Sequence, residues 1–378
     1  MFKTGMAIVA SAVLLMATSV SADPTRIGMI TTLSGGGSHL GIDVRDGFML
    51  AMELANADVD VIIRDDARKP DVAKSLASEL IQREKVEILT GIIWSNLAMA
   101  VVPSTVRGGT FYLSPNAGPS ALAGKACHKN YFNVAWQNNN LHEAMGSYMK
   151  TAGVKAPFIL APNYPAGKDA LTGFKSHYGN PEGELFTKLG QKDYAAEIAQ
   201  IRASKADSVF FFLPGGMGIA FMKQYAASGI NLPVYGPAFS FDEIILGAVG
   251  DAAIGVKNTS QWAYDLLNKP NARFVKAFRE KYGRTPTLYA SQGYDTANLI
   301  VSALKKAKPS DADAFRRALE AADFESVRGS FKFGSNHHPI QNIYIREVVA
   351  GANGKPTNQL MGIAIADLQD AYASQCKL

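Results

Sequence analysis

Small hydroxyl and amide side chains gather at points where an apolar run gives way to a helical pattern. Trp94-Ser95-Asn96 and Ser114-Pro115-Asn116-Ala117-Gly118 are the clearest cases. Short polar side chains beside the free N–H groups of a helix start make an anion site, because those donors are unpaired and carry partial positive charge. A carboxylate is the natural guest. The alternative is that Ser95, Asn96 and Asn116 only cap helices, which such residues do very often. Other chemistry is poorly supplied. Gly35-Gly36-Gly37-Ser38-His39-Leu40-Gly41 misses the dinucleotide fingerprint because Leu40 stands where glycine is required. Gly167-Lys168 is no phosphate loop, since Pro162 replaces its first glycine and Asp169 its magnesium-binding hydroxyl. G-x-S-x-G, H-E-x-x-H and paired C-x-x-C motifs are absent. His337-His338 reads as a solvated turn before Pro339. The expectation is a binding protein rather than an enzyme, with no cofactor and no metal.

The elements that must hold these loops alternate. Arg26 to Thr31 reads as a strand, the Leu33 to Gly37 stretch as a turn, and Val44, Phe48, Ala51 and Ala55 as one face of a helix. Val59 to Ile63, Val86 to Ile93 and Thr110 to Leu113 repeat the strand signal. Helical stretches begin near Pro70 and Ala98. A second series follows, with strands at Pro157 to Ala161, Leu185 to Phe186, Ser208 to Leu213 and Val234 to Gly236. Its helices lie at Asp169 to His177, Tyr194 to Ser204 and Gly218 to Ser228. The class is α/β, in two doubly wound parallel-sheet lobes. Further helices near Ala272 to Tyr282, Asp295 to Ala307 and Asp313 to Ala322 precede a strand pair, Ile343 to Val349 and Met361 to Ala366. Periodicity does not say where those helices dock.

Residues 1–22 read as a secretory signal: Lys3, an apolar run from Met6 to Met16, then Val20-Ser21-Ala22 at a cleavage point. About 350 residues then remain, which suits two domains. A formal charge of +5 with scattered basic residues gives no support to nucleic-acid binding. Cys127 and Cys376 are the two cysteines of an exported chain, so one disulfide between them is the economical reading, and two free thiols the alternative.

Leu33-Ser34-Gly35, Arg64-Asp65-Asp66, Trp94-Ser95-Asn96, Ser114 to Pro119 and Gln292-Gly293-Tyr294-Asp295 together resemble the periplasmic Leu/Ile/Val-binding family of ABC transporter receptors. The likeness runs over nearly the whole mature chain. It implies a type I periplasmic binding fold with three crossovers, near Gln137 to Asn140, Ser260 to Ala263 and Asn336 to Ile340. One lobe would be 23–138 with 262–338, the other 139–261 with 339–378. Carried over by position, Ser95 and the Asn116-Ala117-Gly118 loop would hold a ligand carboxylate, and Tyr164 would close from the second lobe. Ser34, His39, Asn96 and Gly215 complete the expected contact set, His39 as a hydrogen-bond donor or as a plain loop residue. Amino-acid receptors of the family carry an acid after the Gly-Pro of the strand resembling Val234 to Pro237, where it neutralises the ligand ammonium. Here Ala238-Phe239 stands instead, and Asp242 substitutes only if the loop is shifted. Burying an unpaired cation is costly, so the resemblance points to a ligand without an amine. Trp94, Phe239, Tyr164 and Tyr294 would then be flat apolar walls for an aromatic ring, or ordinary core. With Ala135-Trp136-Gln137-Asn138, the pattern is similar to the branch that binds aromatic carboxylates such as benzoate and phenylpropanoid acids. The implied partners are inner-membrane ABC permease subunits. An amino-acid or amide receptor and a ligand-presenting sensory module are the other readings.

Overall fold

The structure is a computed structural model and describes residues 23–352 and 354–378. The expected export signal lies outside the described residues. The first sheet is wholly parallel, in the order β2-β1-β3-β4-β5. Its strands are β1 (Thr25–Thr31), β2 (Val59–Asp65), β3 (Ile88–Thr90), β4 (Phe111–Ser114) and β5 (Tyr131–Asn133). Between them run α1 (Ser38–Leu54), α2 (Pro70–Gln82), α3 (Ser95–Arg107) and the single turn α4 (Ser120–Ala123). Covering by helices on both faces explains why β4 is buried at every residue and why β1 buries Ile27, Met29 and Ile30 in succession.

The second lobe starts with α5 (Asn140–Thr151). It continues through β6 (Pro157–Pro162), α6 (Pro165–Tyr178), β7 (Gly183–Thr187), α7 (Ala195–Ala203), β8 (Ser208–Phe211), α8 (Gly216–Ala227), β9 (Val234–Pro237), α9 (Glu243–Val249) and β10 (Lys257–Ser260). Then come α10 (Lys269–Tyr282), α11 (Leu288–Leu304) and α12 (Ala312–Glu320), and β11 (Phe331–Phe333), β12 (Pro339–Ala350) and β13 (Pro356–Leu368). The second sheet runs β11-β12-β10-β9-β8-β6-β7, with β13 beside β12. Its middle, from β7 to β10, is parallel; β12 joins β10 antiparallel. The chain passes between lobes three times: after β5, after β10 and again into β12, where β11 packs Phe331 and Phe333 on the first-lobe core while pairing with the start of β12.

Where the late helices dock is decided by two glycines. A Cβ on Gly47 would lie 1.9 Å from the Ala290 carbonyl oxygen, and one on Gly293 would lie 2.0 Å from that of Val44. Only glycine allows α1 and α11 to approach so closely. This contact seats α11 on the first lobe, where Ala297, Ile300 and Phe315 share a core with Phe48 and Phe111. Local signals start and stop the helices. Asn268 caps α10 by accepting from the Asn271 N–H at 2.8 Å, and Gly283, at φ 68°, ends it.

The crossovers are tied by a buried cation. Arg328 is 2 % exposed; its Nε donates to Asp295 Oδ2 at 2.9 Å, and its Nη1 donates to the Ala135 carbonyl at 3.0 Å and to Gln341 Oε1 at 2.9 Å. Gln341 Nε2 also donates to the Ala135 carbonyl. One guanidinium thus joins the first crossover, α11 and the start of β12. The cysteines form the disulfide expected of an exported chain, Cys127 to Cys376, across a sequence separation of 249. It draws the tail after β13 back beside the end of α4, where Tyr372 and Gln375 pack near Gly124, and Asn139 Nδ2, at the start of α5, donates to the Tyr372 hydroxyl at 3.3 Å. His337 and His338 are not a solvated turn. Both are buried, and the His337 ring stacks on Phe132 at 4.0 Å because the third crossover passes beneath β5.

Removing one partner of a buried ion pair strands the other charge, at a cost of about 3–5 kcal/mol. Asp295→Ala is therefore expected to lower unfolding free energy by about that amount in denaturant titrations. A loss below about 1 kcal/mol, the worth of an exposed pair, would show that the Arg328 network does not hold the crossovers.

Candidate functional site: the cleft between the lobes

The segments after β3 and β4 face those after β6, β8 and β9 across a cleft lined from both lobes. Ligands of open α/β sheets sit at such carboxyl ends. On the first-lobe side, Ser95 opens α3, whose leading N–H groups have no intrahelical acceptor. Ser95 Oγ accepts from Asn138 Nδ2 at 3.1 Å, so its own proton is free to donate to a ligand. The neighbouring loop is held firmly. Asn116 Nδ2 donates to the Ile93 carbonyl at 2.6 Å, while the Ala117 carbonyl accepts from Ser114 Oγ at 2.7 Å and Asn133 Nδ2 at 3.2 Å. Gly118 donates its N–H to Asn138 Oδ1, and a Cβ there would lie 2.0 Å from the Trp136 carbonyl oxygen.

Asn138, on the first crossover, reaches the other lobe as well. Its Nδ2 donates to Asp169 Oδ2 on α6 at 2.9 Å, and Asp169 also accepts from the Ser120 N–H at 3.0 Å and hydroxyl at 2.7 Å. A second-lobe carboxylate is thus bound to first-lobe donors beside Ser95 and the start of α3. These bonds form only when the lobes are together.

The remaining walls are aromatic. Trp94 is fixed by Nε1 donating to Thr32 Oγ1 at 3.0 Å, and its ring stands 6.5 Å from Tyr164. Tyr164 lies 6.4 Å from Phe212 with an interplanar angle of 15°, and Phe239 sits 4.4 Å from Trp136 and 6.4 Å from Tyr289. Burial raises the phenols of Tyr164 and Tyr289, so both stay protonated. His142, from α5, lines the same cavity, and burial pushes its imidazole down to about 3. Among the described residues lining the cavity there is no aspartate, glutamate, lysine or arginine.

Of the residues expected at the site, Trp94, Ser95, Asn116, Ala117, Tyr164 and Phe239 line the cavity. Gly118 acts one step behind it, through Asn138. Ser34 is exposed and hydrogen-bonds Asp65. Asn96 does not line the cavity. His39 and Gly215 meet at the cleft edge, where a Cβ on Gly215 would lie 3.4 Å from His39 Cε1, but neither lines the cavity. Tyr294 is a correction: its ring packs 4.6 Å from Phe274 beside a surface cleft that Arg273 also lines. Tyr289 takes the wall position instead. Five residues of helix turn the side chain by about 140°, so the two tyrosines of α11 face different ways. Asp242 does not substitute for the missing acid. It caps α9, its Oδ1 accepting from the Ile244 and Ile245 N–H groups at 2.9 Å, and it does not line the cavity. Sequence reasoning missed Asn138, His142 and Tyr289 as site residues. Asn138 lay in a stretch singled out for its pattern alone, and α5 carries too even a mixture of side chains to announce a helix.

The chain matches the periplasmic binding protein family over residues 24–355 and belongs to it. Membership puts it in the periplasm as a binding protein rather than an enzyme. It is 28% identical over 375 residues to the Leu/Ile/Val-binding protein homolog 6 of Brucella melitensis, covering 94% of this chain and 95% of that one. The fold and sequence are similar to an ABC transporter solute-binding protein from R. palustris solved in complex with benzoate, with a TM-score of 0.88, 30% identity, and coverage of 94% of this chain and 100% of that one. A solute-binding protein of an ABC transporter from Rhodopseudomonas palustris BisB5, in complex with 3,4-dihydroxy benzoic acid, is similar too. There the TM-score is 0.84 and the identity 28%, covering 93% of this chain and 99% of that one.

A buried imidazole held neutral has a sign that titration can check. Below about pH 6.5 the unfolded chain binds a proton that folded His142 refuses, so its contribution to stability is present above that pH and lost as pH falls. His142→Leu is expected to flatten the decline of unfolding free energy between about pH 6 and pH 4 by about 1.4 kcal/mol per pH unit. Parallel curves for the two proteins would show that His142 is not held neutral. Asp169→Ala, which deletes the interlobe carboxylate, is expected to shift small-angle scattering of the ligand-bound protein toward a larger radius of gyration. An unchanged radius would remove Asp169 from closure.

Proposed function

We propose that the protein captures an aromatic carboxylic acid, of benzoate or phenylpropanoid type, by closing two lobes around it, and delivers it to the permease of an ABC importer. The lobes are 23–138 with 262–338 and 139–261 with 339–368, the tail returning to the first lobe through the disulfide. The carboxylate is held by Ser95, the start of α3 and the Asn116-Ala117 loop. Trp94, Tyr164, Phe212 and Phe239 flank the ring. One observation carries the reading: the cavity lining has Ser95 at the start of α3 and the neutral Asn116-Ala117 loop but no acidic side chain. An α-amino acid would bury its ammonium without a partner, at a cost of several kcal/mol, whereas an aromatic acid brings no cation. The relatives solved with benzoate and 3,4-dihydroxy benzoic acid support the same ligand class. Residues 1–22 serve as the export signal, so mature protein is expected to begin at Asp23 by N-terminal sequencing.

A branched-chain amino-acid receptor is the second reading, favoured by the naming of the Brucella relative. Thermal-shift measurements separate the two, because a ligand bound only by the folded state raises Tm with concentration. Benzoate or cinnamate is expected to raise Tm, and leucine and valine to leave it unchanged; the reverse pattern would sink the aromatic-acid reading. Ser95→Ala removes a charge-assisted hydrogen bond of about 1.5–3 kcal/mol and is expected to weaken acid binding about 10- to 100-fold in calorimetry. An unchanged Kd would mean that the carboxylate sits elsewhere.

A further inference from the structure

His142 stands out within the cavity. It is 1 % exposed, and its ring faces Phe212 at 5.0 Å, Phe210 at 5.9 Å and Phe239 at 6.1 Å, so the protein surrounds it with groups that neither donate nor accept conventional hydrogen bonds. Its Nδ1 has no hydrogen-bond partner. Buried polar groups in proteins are paired as a rule, and each exception calls for a partner. His142 lines the cavity, so its imidazole is a polar group that a molecule bound there meets on this wall. The anion site lies on the opposite, first-lobe side, already built from Ser95, α3 and Ala117. A ring anchored there by its carboxylate extends toward the second-lobe wall of Phe212 and Phe239, in which His142 is set.

We propose that His142 is the specificity-determining residue of the site, and that it selects aromatic acids bearing a ring hydroxyl over the unsubstituted acid. The inference rests on the aromatic-acid reading above and narrows its substrate class. A neutral imidazole presents one donor and one acceptor, and a phenolic hydroxyl presents the same pair, so the two satisfy each other in either direction. Burial keeps the ring uncharged at physiological pH. A second carboxylate would meet no cation here, and a bare ring edge would leave Nδ1 unpaired. Sites that hydrogen-bond a substrate hydroxyl reject the analogue lacking it, because the buried partner is then stranded.

The test compares benzoate, 3-hydroxybenzoate and 4-hydroxybenzoate by calorimetry at neutral pH on the full mature protein and on His142→Phe and His142→Gln. The unsubstituted protein is expected to bind one hydroxybenzoate about tenfold or more tighter than benzoate, the worth of one buried hydrogen bond. His142→Phe is expected to lose that preference while keeping benzoate within about threefold of the unsubstituted Kd. Retained benzoate binding shows that the variant is folded. His142→Gln keeps a donor and an acceptor and is expected to preserve part of the preference; if His142→Phe does not fold, loss of the whole preference in a benzoate-binding His142→Gln counts against the proposal. The proposal is overturned if the unsubstituted protein shows no preference, if His142→Phe retains it, or if His142→Phe weakens all three acids equally, which would make His142 a carboxylate contact or plain wall. If none of the acids binds the unsubstituted protein, the aromatic-acid reading falls first and this one with it.

Discussion

The side-chain amide of Asn138 ties the loop after β4 and the start of α3 to α6 of the second lobe. Its oxygen accepts from Gly118 at 3.1 Å, and its nitrogen donates to Ser95 at 3.1 Å and to Asp169 at 2.9 Å. The loop after β4, the start of α3 and α6 meet at that group. Gly118 must be glycine to pass the Trp136 carbonyl, Ser95 must begin α3 to turn its hydroxyl inward, and Asp169 must ride on the first turns of α6 to meet Ser120. An amide suits this place because it supplies two donors and an acceptor without bringing charge into a closing cavity. The arrangement links Gly118, Ser95, Asp169 and Ser120 across the lobes in one hydrogen-bonded chain.

Charge has been moved out of the cavity and into the frame. Arg328 and Asp295 meet at the crossovers, and Arg346 is fully buried with Asn258 Oδ1 accepting from its Nη2 at 2.7 Å. Asp242 is spent on capping α9. Such paired or capped ions are tolerable in low dielectric, while an unpaired one is not. If the cleft holds its ligand as proposed, its ring walls, neutral donors and neutral imidazole discriminate by complementarity of hydrogen bonds and shape. Specificity of this sort is a difference between affinities, set by which buried groups a wrong ligand leaves unpaired.

Much of the fold was legible because most of its parallel strands carry apolar residues in close succession and its longer helices carry regular stripes. Both series of strands and the helices near Pro70, Asp169 and Ala272 fall where the patterns place them. The short strands escaped. β5 spans Tyr131–Asn133 and β10 spans Lys257–Ser260, too few residues for a period to register, and β10 reads Lys-Asn-Thr-Ser with no apolar residue. α5 escaped because it buries Asn140, His142 and Glu143 beside Leu141 and Met145, so its inner face looks polar in sequence. That is why His142 was invisible. The site loops Trp94 to Ser95 and Asn116 to Gly118 were visible because strand-end loops are local features.

From its sequence alone this protein is determined to be α/β, to carry neutral polar loops at strand ends, to lack an acid after Pro237, and to hold two cysteines suited to one bridge. These are properties of residue type and local order, which periodicity and composition report directly. The tertiary structure decided which aromatic rings face the cleft, sending Tyr289 inward and Tyr294 outward on one helix, and turned His337 and His338 from an expected turn into buried packing. It also brought Asn138, Ser95, Asp169 and Ser120 together across two lobes. Such contacts depend on how rigid elements dock, here on Gly47 and Gly293 letting α11 lie against α1, and docking is set by non-local packing that no local pattern encodes.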